Sequence, residues 1–360
     1  MFLKAKIRRR SPMQPLMFNW QDIKNRSRGL TFDDVLIMPK RSDVRSRRDP
    51  SLASKLTKNI SLETPILSAN MDTVTGCEMA IAMHNLGGLG ILHRFMSIEE
   101  QAEMVRKVKA AGVKVISASI GVGEEAKTRA TILVESGVSV ITVDIAHGHS
   151  IQMIEAMKWL KDTYPQVEII AGNLAMPDAA RDLIEAGADA IKVGIGPGSM
   201  CTTRIITGAG VPQLTAIALC AEIADSYGVP VIADGGIKTS GDIVKAFAAG
   251  ASTVMLGSML AGTLETPGEM KHGKKQYRGM ASKSAQVSWR GGVPEGMAPE
   301  GESTMVNIKG RAKDVIIEIA GGIRSGMSYI NATSIAEIRE KAFFMEMSSN
   351  GVAESRAHGV

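Results

Sequence analysis

The chain reads as an α/β protein of the (β/α)8 barrel class, and three observations carry that reading. From about residue 62 to residue 262, short β-branched runs alternate with stretches whose apolar residues recur at spacings of three and four. Such alternation predicts parallel strands, because each return to a parallel neighbour needs a crossover helix packed on the sheet. Eight such runs predict closure into a barrel. An open doubly wound sheet would place a G-x-G-x-x-G turn after its first strand, where this chain has SANMDTVTG.

In chain order the predicted strands are 64–69 (TPILSA), 88–93 (GLGILH), 113–119 (VKVISAS), 138–144 (VSVITVD), 167–172 (VEIIAG), 190–195 (AIKVGI), 230–234 (PVIAD) and 253–257 (TVMLG). Amphipathic helices are predicted between them at about 75–85, 97–111, 123–136, 149–163, 176–186, 212–227 and 239–249. Polar or glycine-rich sequence sits just after nearly every strand. In a barrel those ends share the one rim where active sites are built. From about residue 263 the pattern changes, and the polar, glycine-rich stretch 268–312 reads as an irregular, mobile flap over that rim. A last helix is predicted at about 334–345, so residues 18–360 read as one catalytic domain.

Composition narrows the function. With 44% apolar and 22% charged residues the 360-residue chain falls in the ordinary globular range, and no apolar run approaches the roughly 18 residues of a membrane span. Three cysteines, Cys77, Cys201 and Cys220, make no disulfide framework and match no zinc spacing, which points to a reducing, cytoplasmic setting. The formal charge of +5 belongs wholly to residues 1–17, which hold Lys4, Lys6, Arg8, Arg9 and Arg10 and no acid. That arm reads as a disordered tail, a targeting fragment or sequence upstream of a later start. The rest of the chain is neutral and only 4% aromatic, so neither nucleic acid nor membrane is an expected partner.

The strongest candidate for chemistry is the loop Gly194-Ile195-Gly196-Pro197-Gly198-Ser199-Met200-Cys201-Thr202-Thr203. Glycines let backbone approach a ligand, and carbonyls such as those of Gly196, Gly198 and Cys201 can line a small cation site. A lone cysteine is usually a packing residue. At the end of this loop, near backbone N–H groups that favour a thiolate, Cys201 reads instead as a nucleophile. Asp234-Gly235-Gly236 and Gly257-Ser258 follow the last two strands, where barrels bind phosphate through backbone N–H groups; they also read as plain tight turns. Asp234 adds an acceptor for a ribose diol, and phosphate with ribose means nucleotide. Asp144, with His147 and His149 nearby, reads as a metal site short of a third ligand or as a rim carboxylate for a second ligand.

The motifs GIGPGSMCTTR, ANMDTV, ADGGI and GGIRSGMSYINA stand in one order along residues 28–345, and the chain resembles the inosine-monophosphate dehydrogenase and guanosine-monophosphate reductase superfamily. The resemblance implies a barrel enzyme, usually a homotetramer, in which Cys201 attacks purine C2 and a nicotinamide cofactor exchanges hydride with that carbon. It further implies proton transfer by Thr203 and Glu300. Substrate contacts would come from Ser199, Asp234, Gly235, Gly236, Gly257, Ser258, Tyr277, Gly279, Met280 and Gly301. Cofactor contacts would come from Met71, Arg94, Asp144 and Asn173, and a potassium-like ion would sit on the Gly196, Gly198 and Cys201 carbonyls. Arg94 stands where many members have Lys, and a guanidinium stays protonated.

The branch is read from departures. VRKVKAAGVKVISAS runs from helix to strand without the regulatory CBS insertion of typical dehydrogenases. Between Ser282 and Pro299 lie only 16 residues, without the Arg-Tyr pair by which dehydrogenases activate water; Arg290 is followed by Gly291. This short flap resembles the reductases, which implies NADPH-dependent conversion of GMP to IMP and ammonia. LTFDDVL, MSIEEQAEMVRKVK and TGAGVPQLTAI read equally like dehydrogenase, which keeps the alternative of IMP oxidation with NAD.

Overall fold

In the computed structural model, which describes residues 17–355, eight parallel strands close into a barrel in chain order. They are β1 (Ile66–Ser68), β2 (Leu89–Leu92), β3 (Ser117–Ile120), β4 (Val140–Asp144), β5 (Glu168–Leu174), β6 (Ala190–Val193), β7 (Val231–Asp234) and β8 (Thr253–Leu256). Closure comes from β8 pairing with β1 in the register Val254 with Ile66. Each strand overlaps its predicted run. Helices cover the outer face and side chains fill the lumen, so the strands are buried on both sides and read as near-continuous apolar runs. Burying one such Ile or Leu stabilises the fold by about 1.5–3 kcal/mol.

The intervening helices are α1 (Cys77–Asn85), α2 (Ile98–Ala110), α3 (Glu124–Ser136), α4 (Ile151–Thr163), α5 (Pro177–Glu185), α6 (Gln213–Ser226) and α7 (Ser240–Ala249). Their starts are written locally. Ser97 and Glu100 form a reciprocal capping box on α2, and Thr239 and Asp242 do the same for α7. Residues 111–116 alone join α2 to β3, so no domain is inserted there.

Beyond β8 the structure departs from expectation in three places. The flap is not irregular: it carries an antiparallel hairpin, β9 (Lys274–Arg278) with β10 (Ser303–Asn307), around the short helix α8 (Lys283–Arg290). Its root is fixed by the buried Lys275, whose ammonium donates to the carbonyls of Leu264 (2.9 Å) and Thr266 (2.6 Å) in the turn after β8. Secondly, an 18-residue helix, α9 (Ala312–Tyr329), occupies a stretch with no predicted element and completes the outer ring. Gly321 and Gly322 weaken its helical signature, yet a Cβ on Gly322 would lie 2.1 Å from Ser240 Oγ on α7. The glycine is demanded by close helix packing.

Thirdly, the helix expected at 334–345 ends at Lys341, and Phe344–Glu346 forms a strand between Val35–Ile37 and Met17–Phe18. Burial of Phe344 against Phe18, ring centroids 5.7 Å apart, outweighs helical continuation. The basic arm lies outside the described residues except Met17, which pairs with Met345 rather than hanging free. Among the described residues no helix is long and apolar enough to cross a membrane.

Candidate active site

The carboxyl ends of the barrel strands and the flap enclose one cavity of about 680 Å³, within the usual range for small-molecule sites. Every residue assigned to catalysis, substrate, cofactor or cation lines it except Gly301, whereas His147 and His149 do not. Gly301 lies against Cys201 as a bridge partner, held by main-chain bonds from Thr202 N–H to the Glu300 carbonyl (3.1 Å) and from Glu302 N–H to the Met200 carbonyl (2.8 Å). The Cys201 loop and the far end of the flap are thus stitched together.

That stitching aligns a side-chain chain of hydrogen bonds. The Cys201 thiol donates to Thr203 Oγ1 over 3.1 Å, and the Thr203 hydroxyl donates to Glu300 Oε2 over 2.8 Å. A continuous proton path runs from sulfur to carboxylate. Gly194 permits the tight approach of this loop to β7: at φ +155°, a Cβ there would fall 2.0 Å from the Asp234 carbonyl oxygen. The Gly198 carbonyl accepts the Cys201 N–H at 3.1 Å and keeps a second lone pair.

On the neighbouring wall, Ser199 Oγ and Tyr277 Oη lie 3.1 Å apart beside Gly257, and burial raises the Tyr277 pKa. Asp234 accepts from Asn173 Nδ2 at 2.9 Å and Asp144 accepts from Asn70 Nδ2 at 3.0 Å. His149 bonds Asp182 at 2.8 Å, and among the described residues no group of three His, Cys, Asp or Glu could hold a metal ion.

The IMP dehydrogenase / GMP reductase domain family matches residues 29–358, nearly the whole chain. The chain belongs to this family. It is 43% identical to an inosine-5'-monophosphate dehydrogenase of Cryptosporidium parvum over 94% of this chain and 96% of that protein. It is 36% identical to a GMP reductase of Leishmania donovani over 92% of this chain and 97% of that protein. Among solved structures, a cysteine-to-alanine variant of GMP reductase from Trypanosoma brucei, in complex with guanosine 5'-monophosphate, superposes with a TM-score of 0.88. That match has 35% identity and covers 94% of this chain and 99% of the other. As a family member the protein is an oxidoreductase of the group that works with a nicotinamide cofactor.

Two parts of this oxidoreductase's cavity escaped the sequence reading. Lys192, on β6, is 1% exposed, and its ammonium donates to Asp144 Oδ1 (2.8 Å), Asp234 Oδ2 (2.8 Å) and Asn173 Oδ1. Burial opposes its charge, but the two carboxylates outweigh burial and raise its pKa above the ordinary lysine value. Burial likewise pushes the Asp144 carboxyl up, and Lys192 and Arg94 together bring it below the usual aspartate value. The available signal was a lysine inside an otherwise apolar parallel strand, AIKV, where an unpaired charge would be prohibitively costly.

The second is an aromatic latch. Phe95, after β2, meets the edge of Trp289 on α8 with centroids 5.4 Å apart; Arg94 lies over Phe95 at 5.0 Å and Arg290 over Trp289 at 4.0 Å. It ties α8 to the segment after β2 on the cavity wall. Arg94 Nε and Trp289 Nε1 are buried on this wall without a partner among the described residues, which fits a wall built to meet a polar ligand.

Proposed function

We propose that this oxidoreductase is a GMP reductase, converting GMP to IMP and ammonia at the expense of NADPH. The observation that carries the proposal is the flap. From Ser282 to Pro299 it holds no Arg-Tyr pair to activate water, and its arginine, Arg290, stacks on Trp289 and is followed by Gly291.

In this reading GMP lies with its phosphate on Ser199, Gly235, Gly236, Gly257, Ser258 and Tyr277 and its ribose on Asp234, while Gly279, Met280 and Gly301 frame the base. Cys201 sulfur adds to purine C2, and the thiol proton passes through Thr203 to Glu300 along the observed hydrogen bonds. Glu300 returns a proton through Thr203 to the amino group, which leaves as ammonia. Met71, Arg94, Asp144 and Asn173 would hold NADPH, which would supply the hydride that reduces C2. The carbon–sulfur bond then breaks, releasing IMP and regenerating Cys201. Arg94, a fixed cation beside Asp144, stabilises charge there and transfers no proton. Carbonyls of Gly196, Gly198 and Cys201 would hold a potassium ion that stiffens the nucleophile loop.

A second reading, IMP oxidation to XMP with NAD, draws on the 43% identity to the Cryptosporidium dehydrogenase and on Arg290 lining the cavity. Cofactor absorbance separates the two. GMP with NADPH should lose reduced cofactor steadily, and IMP with NAD should form none. Steady NADH formation in the second mixture, with none consumed in the first, would reverse the assignment. The homotetramer expected of the family and a cytoplasmic location stand as part of the same proposal.

A further inference from the structure

Lys192 is absent from the chemistry above, yet it is the most deeply buried charge in the cavity wall. An ammonium has three N–H donors, and Lys192 spends them on three acceptors that the proposed function gives two different tasks: Asp234 for the nucleotide ribose, Asp144 and Asn173 for the cofactor wall. Each carboxylate oxygen is 2.8 Å from the same nitrogen, so the two carboxylates lie within twice that distance of each other. Like charges that close, largely but not wholly withdrawn from water, need a shared counter-ion. We propose that Lys192 is a positioning residue that ties the nucleotide subsite to the cofactor subsite, so that filling one organises the other.

The proposal rests on the functional reading only in assigning two ligands to the two carboxylates; the direction of hydride transfer does not matter to it. Its physical basis is that the hub saturates one face of each carboxylate. Asp234, which lines the cavity, uses Oδ2 for both Lys192 and Asn173, and these bonds leave its Oδ1 unused. Asp144 is held from two sides, by Lys192 on Oδ1 and Asn70 on Oδ2, with the Arg94 charge beside it. Asn173 closes the circle, donating to Asp234 and to the Gly194 carbonyl at the base of the nucleophile loop (2.8 Å). A ligand that draws on Asp234 therefore pulls on the group that orients Asp144, and the converse holds with equal strength.

The test compares wild type with Lys192→Met and Lys192→Arg, measuring both KM values and kcat across pH, with nucleotide binding by calorimetry. In Lys192→Met, Arg94 is the cation left beside Asp144 and the neutral Tyr277 is the titratable group near Asp234, so the two carboxylates lose their shared counter-ion and protonation of the pair becomes easier. Both KM values should rise by at least about tenfold near neutral pH and fall again as pH is raised, a profile flat in the wild type. Lys192→Arg should keep the flat profile even where kcat suffers from the larger head.

A merely structural lysine would lower thermal stability and leave the KM profiles flat, and that result would overturn the proposal. If Lys192→Met does not fold, the single variants Asp144→Asn and Asp234→Asn decide it: the hub requires each to raise both KM values, whereas effects confined to one ligand apiece refute it. A wild type silent on both nucleotide pairs would instead sink the functional reading itself.

Discussion

The proton path from Cys201 to Glu300 makes a quantitative demand on Glu300→Gln. The substitution keeps the shape of the side chain and an oxygen that can accept the Thr203 hydroxyl at the present 2.8 Å, but an amide neither takes up nor returns a proton at neutral pH. Residue 300 is half-buried, and its main-chain ties to Thr202 and Ala281 do not involve the side chain. The cost to folding should stay within about 1 kcal/mol. Loss of a positioned general acid–base group removes a factor of about 10²–10⁴ in rate, or about 3–5 kcal/mol of barrier. The expected outcome is a kcat lower by that factor, with the KM for GMP changed a few-fold at most. NADPH absorbance gives both parameters, and thermal melting checks the fold. A variant retaining a third or more of wild-type kcat would refute the relay, because among the described residues no other carboxylate is bonded to Thr203.

Cys201→Ala should abolish turnover while GMP binding by calorimetry persists, since the proposed phosphate and ribose contacts lie elsewhere in the cavity; residual steady turnover would exclude a covalent step. Trp289→Ala removes both the edge contact with Phe95 and the stack under Arg290, about 1–2.5 kcal/mol in all, so the cofactor KM should rise roughly 5- to 60-fold with the melting temperature little changed. An unchanged KM would show that α8 needs no latch. His93 is buried and its pKa is pushed down to about 4, so the unfolded chain binds its proton first as pH falls. The stability it contributes is whole above about pH 6.5 and is lost toward about pH 4, up to about 3 kcal/mol. His93→Gln should therefore show a shallower loss of stability between neutral pH and pH 5 than wild type, as read by urea unfolding.

The sequence by itself determined what is periodic or contiguous. Eight β-branched runs separated by amphipathic stretches are enough for the barrel, because strands covered on both faces cannot hide their pattern and each crossover must return to the same rim. Glycines packed into one loop ahead of Cys201 marked it as the candidate nucleophile, since that density suits close backbone approach to a ligand. Family motifs marked Thr203 and Glu300 as partners, although 97 residues separate them and spacing alone says nothing of their meeting.

Tertiary structure decided the rest. Gly322 reads as a helix breaker until Ser240 is seen 2.1 Å from its missing Cβ, and 268–312 reads as irregular until Lys275 is seen rooting the hairpin in the turn after β8. Lys192 is one letter in an apolar strand, and its partners lie 48, 19 and 42 residues away. Local sequence encodes which backbone each segment adopts. Which charges then share a counter-ion depends on barrel closure, which brings β4, β5, β6 and β7 side by side and points their ends into one cavity.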